Sequence, residues 1–178
     1  MARAAVLLRA VNVGGRRLTM DVFKGALADL GLPNAQTVVA TGNAVVAAEA
    51  SPELEVRLEA GLAEKLGGPV EVFVRSGAQL AQIVAANPFA DFAARDPSHM
   101  VAMVLRGEAD PDLVEALRSR IVGPEQVAAG PGCLFVTYPD DIGHSKLTGV
   151  VIERTLKLRG TVRNWNTLRK LAEVAAED

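Results

Sequence analysis

Each apolar run in the first 76 residues is followed by a glycine or a proline, and this punctuation limits the fold more than any other feature of the chain. Residues 4–11 are rich in leucine and valine and reach Gly14-Gly15, which reads as a buried strand and a glycine turn. Thr19 is placed to cap a helix whose apolar positions Val22, Phe23, Leu27 and Leu30 follow helical spacing, and Gly31 and Pro33 stop it. Residues 37–40 and 44–47 flank Thr41-Gly42-Asn43, which reads as a tight hairpin. Ser51-Pro52-Glu53 supplies a cap, a proline at the first helical position and an acid in the first turn. Leu54, Leu58, Leu62 and Leu66 then recur every four residues up to Gly67-Gly68, and residues 70–74 make the next strand. The order is β-α-β-β-α-β, the ferredoxin-like arrangement of split βαβ units.

The second half partly repeats it. Ser76 caps a helix through Leu80, Ile83 and Val84 that ends at Asn87-Pro88, and a loop over 89–98 leads to a strand over 100–105. Asp110-Pro111 opens a helix through Leu113, Leu117 and Ile121. Strands follow near 126–128 and 134–138, around Gly130-Pro131-Gly132. Two helical patterns, over 146–158 and 164–175, join at Arg159-Gly160. This half reads β-α-β-β-α-α, so the sequence predicts an α+β protein of two ferredoxin-like subdomains, residues 1–76 and 77–178.

Composition excludes several classes. Apolar types make up 49 % of the 178 residues, enough for a core and too many for a disordered chain. Cys133 is the single cysteine, so neither a disulfide framework nor a cysteine-built zinc site is available, and the two histidines cannot make a histidine-rich metal centre. No metal and no cofactor is expected. The apolar stretch over 4–8 is too short for a signal peptide, no run approaches a membrane span, and a lone thiol suits a reducing compartment. The expectation is a cytoplasmic protein with no membrane partner.

The net charge of −2 hides an uneven distribution. Residues 1–20 carry Arg3, Arg9, Arg16 and Arg17 and no acid. Residues 142–170 carry Lys146, Arg154, Lys157, Arg159, Arg163, Arg169 and Lys170 against Glu153 alone. Between them the chain is acidic. Brought together, the two basic segments would attract anions; kept apart, they are two solvated faces.

Phosphate loops, dinucleotide fingerprints, zinc-protease helices and nucleophile elbows are absent from the sequence. The neighbouring carboxylates Asp140 and Asp141 are expected to diverge at a turn and stay solvated. Three polar, glycine-bearing segments remain. Residues 7–17 end a strand in Asn12, Gly14-Gly15, Arg16 and Arg17, where free backbone N–H groups lie beside positive charge. Residues 141–148 place Ser145 as an apparent helix cap between His144 and Lys146, so a helix N-terminus adds its field to theirs. Residues 163–167 surround the only tryptophan with Arg163, Asn164, Asn166 and Thr167; Trp165 reads first as a core anchor.

These segments resemble the bacterial domain-of-unknown-function family 1697. Its members share an LLRGINVGG start, an SGN turn, a GIGRSKL stretch and an RNWNT stretch. Here they stand as LLRAVNVGG (7–15), TGN (41–43), DIGHSKL (141–147) and RNWNT (163–167). The resemblance implies two ferredoxin-like subdomains and brings no assigned activity. Carried over residue by residue, it singles out Arg9, Asn12, Gly14, Gly15, Asn43, His144, Ser145, Lys146, Arg163, Asn164 and Asn166. Two departures stand out: Ala10 replaces a glycine, and His144 stands where arginine is usual, which argues against a family-wide catalytic role for that histidine.

The leading expectation is a cleft where the three segments converge on a phosphate-bearing ligand, nucleotide or RNA. Arg9, Lys146 and Arg163 would supply charge, and Asn12, Asn164 and Asn166 hydrogen bonds. The alternatives are a non-enzymatic nucleic-acid-binding module and a structural or interaction protein without a ligand. Whether the protein is an enzyme, and its oligomeric state, stay open at this point.

Overall fold

The computed structural model describes residues 1–9, 18–39 and 42–176. The chain divides into two compact units, residues 1–81 with 169–178, and residues 82–168, where the sequence pattern set one boundary at 76/77.

In the first unit, β1 (Ala4–Arg9), β2 (Gln36–Thr37), β3 (Asn43–Val46) and β4 (Glu71–Ser76) form an antiparallel sheet in the order β2-β3-β1-β4. Central β1 is buried on both faces from Ala4 to Leu8, which is why its sequence is a continuous apolar run rather than an alternation. Ala4, Val6 and Leu8 pack with Phe23 and Leu27 of α1 (Met20–Asp29) and with Leu54, Leu58 and Leu62 of α2 (Pro52–Leu66). Thr19 caps α1 through the Val22 N–H, and Ser51 caps α2 through the Leu54 N–H, each at 3.1 Å. At its far end α2 closes on Gly67, whose φ of 78° is the left-handed turn that glycine adopts without strain.

α3 (Gly77–Ala85) begins at the Ser76 cap the sequence suggests, and the structure makes that cap reciprocal. The Gln79 N–H donates to Ser76 Oγ, and the Ser76 N–H donates to Gln79 Oε1. The stretch expected as a loop contains α4 (Ala90–Arg95) and a 3₁₀ turn, Pro97–His99.

The second unit holds β5 (Met100–Leu105), α5 (Pro111–Arg120), β6 (Gln126–Gly130), β7 (Cys133–Thr137), α6 (Gly149–Leu156) and β8 (Gly160–Asn164). Its antiparallel sheet runs β6-β7-β5-β8, the order of the first sheet strand for strand. The fold is therefore α+β, with two four-stranded antiparallel sheets. α7 (Trp165–Ala176) follows.

β8 is the strand the sequence pattern missed. Gly160 begins it because the backbone comes too close for a side chain: a Cβ there would lie 2.9 Å from both Met103 Cγ and the Val104 carbonyl oxygen. Thr161 and Val162 then extend the chain along β5, so a helix–strand–helix passage replaces the expected helical joint.

Candidate functional site

β7 leaves its sheet at Thr137, and the next residue fixes the loop that follows. The Tyr138 N–H donates to the His99 carbonyl at 2.8 Å, and the buried Tyr138 hydroxyl donates to the Leu147 carbonyl at 2.8 Å. Burial first, and then the charge of Glu125, push the Tyr138 phenol up to about 12, so it remains a donor at any ordinary pH. Between these anchors residues 139–146 loop outward. Asp141 accepts the Gly143 N–H through Oδ1 at 2.9 Å and holds His144 Nδ1 through Oδ2. The hydrogen bond from His144 lowers the Asp141 carboxyl, and the same bond raises the imidazole, favouring its charged form.

The helix start expected at Ser145 lies three residues later. Thr148 is the cap and accepts the Val151 N–H, whereas Ser145 Oγ accepts from Leu147, two residues on, in a side-chain turn. Leu147 and Ile152 flank the true cap and bury themselves in one apolar cluster, which fixes the entry of the chain into α6. Ser145 Oγ also donates to Glu125 Oε1, tying this loop to the one between α5 and β6.

These two loops, residues 120–125 and 140–147, enclose a cleft of about 330 Å³ within the second unit. That volume lies in the range of small-molecule sites, roughly 300–1,000 Å³. Ile121, Val122, Pro124, Leu147 and Val151 form apolar wall, and Arg120, Glu125, Asp140, Asp141, His144 and Lys146 bring charge. Most of the charged groups are engaged: Arg120 with Thr155 Oγ1, Glu125 with Ser145, and Asp141 with His144. Lys146 and Asp140, both exposed, have no hydrogen-bond or ion-pair partner among the described residues.

Of the expected site residues, the cleft gathers His144, Ser145 and Lys146. The registers Met100 to Thr137 and Val101 to Asn164 bring the third segment to the same end of the sheet. β5 intervenes, so β7 and β8 stand about 9.6 Å apart, two strand spacings. Arg163 also faces away from the cleft. Val162 lies opposite Met103, which packs with Leu117 of α5 and Ile152 of α6, so Arg163 projects to the other side of the sheet. There its Nη1 donates to Thr161 Oγ1 at 2.6 Å and to the Val162 carbonyl at 2.9 Å. Burial brings its guanidinium down to about 10, still a cation at neutral pH. Asn164 accepts the Asn166 N–H at 3.0 Å and donates to the Ser98 carbonyl at 3.1 Å, a cap and a tie to the 3₁₀ turn. Asn166 is exposed, and Trp165 is buried edge-on against Phe135, with ring centroids 6.1 Å apart.

The remaining expected residues belong to the first unit. Arg9 ends β1 opposite Glu71 and forms an ion pair with it at 2.6 Å. Asn43, 4 % exposed, begins β3 opposite Leu7 at that same end of the sheet. Asn12, Gly14 and Gly15 lie outside the described residues.

Arg120, Glu125 and Asp140 are cleft residues that sequence reasoning did not select. Gly123-Pro124, beside Arg120 and Glu125, reads as nothing more than a helix stop, and Asp140 reads as a solvated turn carboxylate. Among the described residues there is no cluster of three or more potential metal ligands, and no helix is long and apolar enough to cross a membrane.

A family model described as "Protein of unknown function (DUF1697)" matches residues 1–135. The conserved bacterial protein SP0830 from Streptococcus pneumoniae is similar in structure, with a TM-score of 0.72, 19 % identity and 99 % of each chain covered. At that identity the likeness speaks for the fold. No curated protein matches the chain.

Proposed function

We propose, from the premise that the chain belongs to the DUF1697 family of proteins of unknown function, that it binds a small phosphate-bearing ligand in the cleft between residues 120–125 and 140–147. In this reading each unit is a ferredoxin-like arrangement, and the second carries the site. The observation that supports it is Lys146: it lines the cleft as an exposed ammonium without a partner among the described residues, while the other cations there are engaged. His144, biased toward its charged form by Asp141, adds a second positive group. The apolar wall suits the carbon part of a small molecule, and the interspersed carboxylates disfavour the uniform backbone of a nucleic acid.

The test is a thermal-shift screen of phosphorylated metabolites, followed by calorimetric titration of the best binder into wild type and Lys146→Ala. A native-state ligand raises the melting temperature. Loss of one charge-assisted contact weakens affinity roughly tenfold or more. If no phosphorylated compound shifts the melting temperature, or if Lys146→Ala binds as wild type does, the reading falls.

A further inference from the structure

Asp140 and Lys146 line one small cleft, carry opposite charges, and do not pair with each other. Both belong to the loop over residues 140–147. Asp140 precedes the Asp141–Gly143–His144 turn and Lys146 follows the Ser145–Glu125 tie, and those hydrogen bonds fix the loop between them. The cleft's six ionisable groups are three acids and three bases. A purely anionic ligand entering it gains Lys146 and meets an unneutralised Asp140.

We infer that the ligand of this cleft carries a cationic amino group as well as its phosphate, with the phosphate on Lys146 and the ammonium on Asp140. The inference rests on the phosphate reading above and names its ligand class: a phosphorylated amine with a short carbon spacer. Val122, Pro124 and Val151 would pack along the spacer. The phosphate meets Lys146 and the ammonium meets Asp140, the two charged groups of the cleft without a partner among the described residues.

Calorimetric titrations with aminoethyl phosphate and aminobutyl phosphate, each against the hydroxyalkyl phosphate of the same length, test this in wild type, Asp140→Asn and Lys146→Ala. In wild type at least one amine should bind roughly tenfold more tightly than its hydroxyl partner. Asp140→Asn should abolish that preference while leaving hydroxyalkyl phosphate affinity equal or improved, and Lys146→Ala should weaken both series. Both residues are exposed, so melting temperatures should stay near wild type. If the two series bind alike and both depend on Lys146, the amine inference fails and the phosphate reading stands. An amine preference that survives in Asp140→Asn overturns the inference as well. Absence of binding by every compound overturns both.

Discussion

The Tyr138 hydroxyl donates to the Leu147 carbonyl across 2.8 Å in a buried setting, and this bond ties the end of β7 to the start of α6. The loop between them carries Asp140, Asp141, His144, Ser145 and Lys146, so the cleft depends on a side chain that does not line it.

Tyr138→Phe should therefore destabilise the protein although the ring keeps its place. Removing the donor leaves a buried carbonyl unsatisfied, which costs about 1–3 kcal/mol. Urea denaturation measures the loss, and amide exchange should accelerate across residues 139–147 in particular. Unchanged exchange in that segment would mean that the loop is held by other contacts.

Cys133, the first residue of β7, is buried, and burial followed by the charge of Glu108 pushes its thiol up to about 12 from an ordinary 9.0. The native thiol should resist alkylation at pH 8 and react only when urea unfolds the chain. The shift also sets a pH dependence. Between about 9 and 12 the unfolded thiol has lost its proton and the folded one has not, so the folded state binds more protons and stability falls as pH rises. The unfolding midpoint should decline over that window, and the decline should be shallower in Cys133→Ala.

His144 should titrate above the ordinary histidine range, because Asp141 holds its charged form. Nuclear magnetic resonance of the imidazole across pH 5–9 reads this directly. Asp141→Asn removes the acceptor charge and should return the titration toward 6.5. Thermal stability should hardly change, since the His144 side chain is 92 % exposed.

On the first sheet, the N–H groups of Val72 and Val74 on edge strand β4 donate to Glu59 Oε1 and Glu55 Oε1, each at 2.9 Å. Glu55 also holds Arg75 in a largely buried ion pair. These two α2 carboxylates occupy the positions through which a further strand would pair. The double substitution Glu55→Ala, Glu59→Ala should lower stability by roughly 2 kcal/mol or more. Exchange should quicken at Val72 and Val74, and light scattering should detect more self-association than in wild type. A variant that associates no more than wild type and keeps its amides protected would show that neither carboxylate guards the edge.

Local chemistry made much of the fold legible. Thr19, Ser51, Ser76 and Asp110 cap helices where their sequence contexts say they should, because a cap and its partner N–H lie within three residues of each other. The leucines of α2 and the apolar run of β1 likewise announce their burial through spacing alone. The family motifs gave His144, Ser145 and Lys146 as one candidate group, and they do line one cleft.

What only the tertiary structure decided is whatever depends on partners far along the chain. Thr161 to Asn164 is a strand because β5, about sixty residues earlier, offers it an edge; its own residues are too few and too polar to declare it. Ser145 and Thr148 are equally able caps in sequence, and the burial of Leu147 beside Ile152 selects Thr148. Arg163 and Lys146 carry the same charge in neighbouring motifs, yet alternation along β8 turns Arg163 away from the Met103 face while Lys146 lines the cleft. The cleft itself joins a helix-ending loop at 120–125 to a strand-ending loop at 140–147. Periodicity reports which face of an element is buried, and only the packed sheet decides which loops meet at its end.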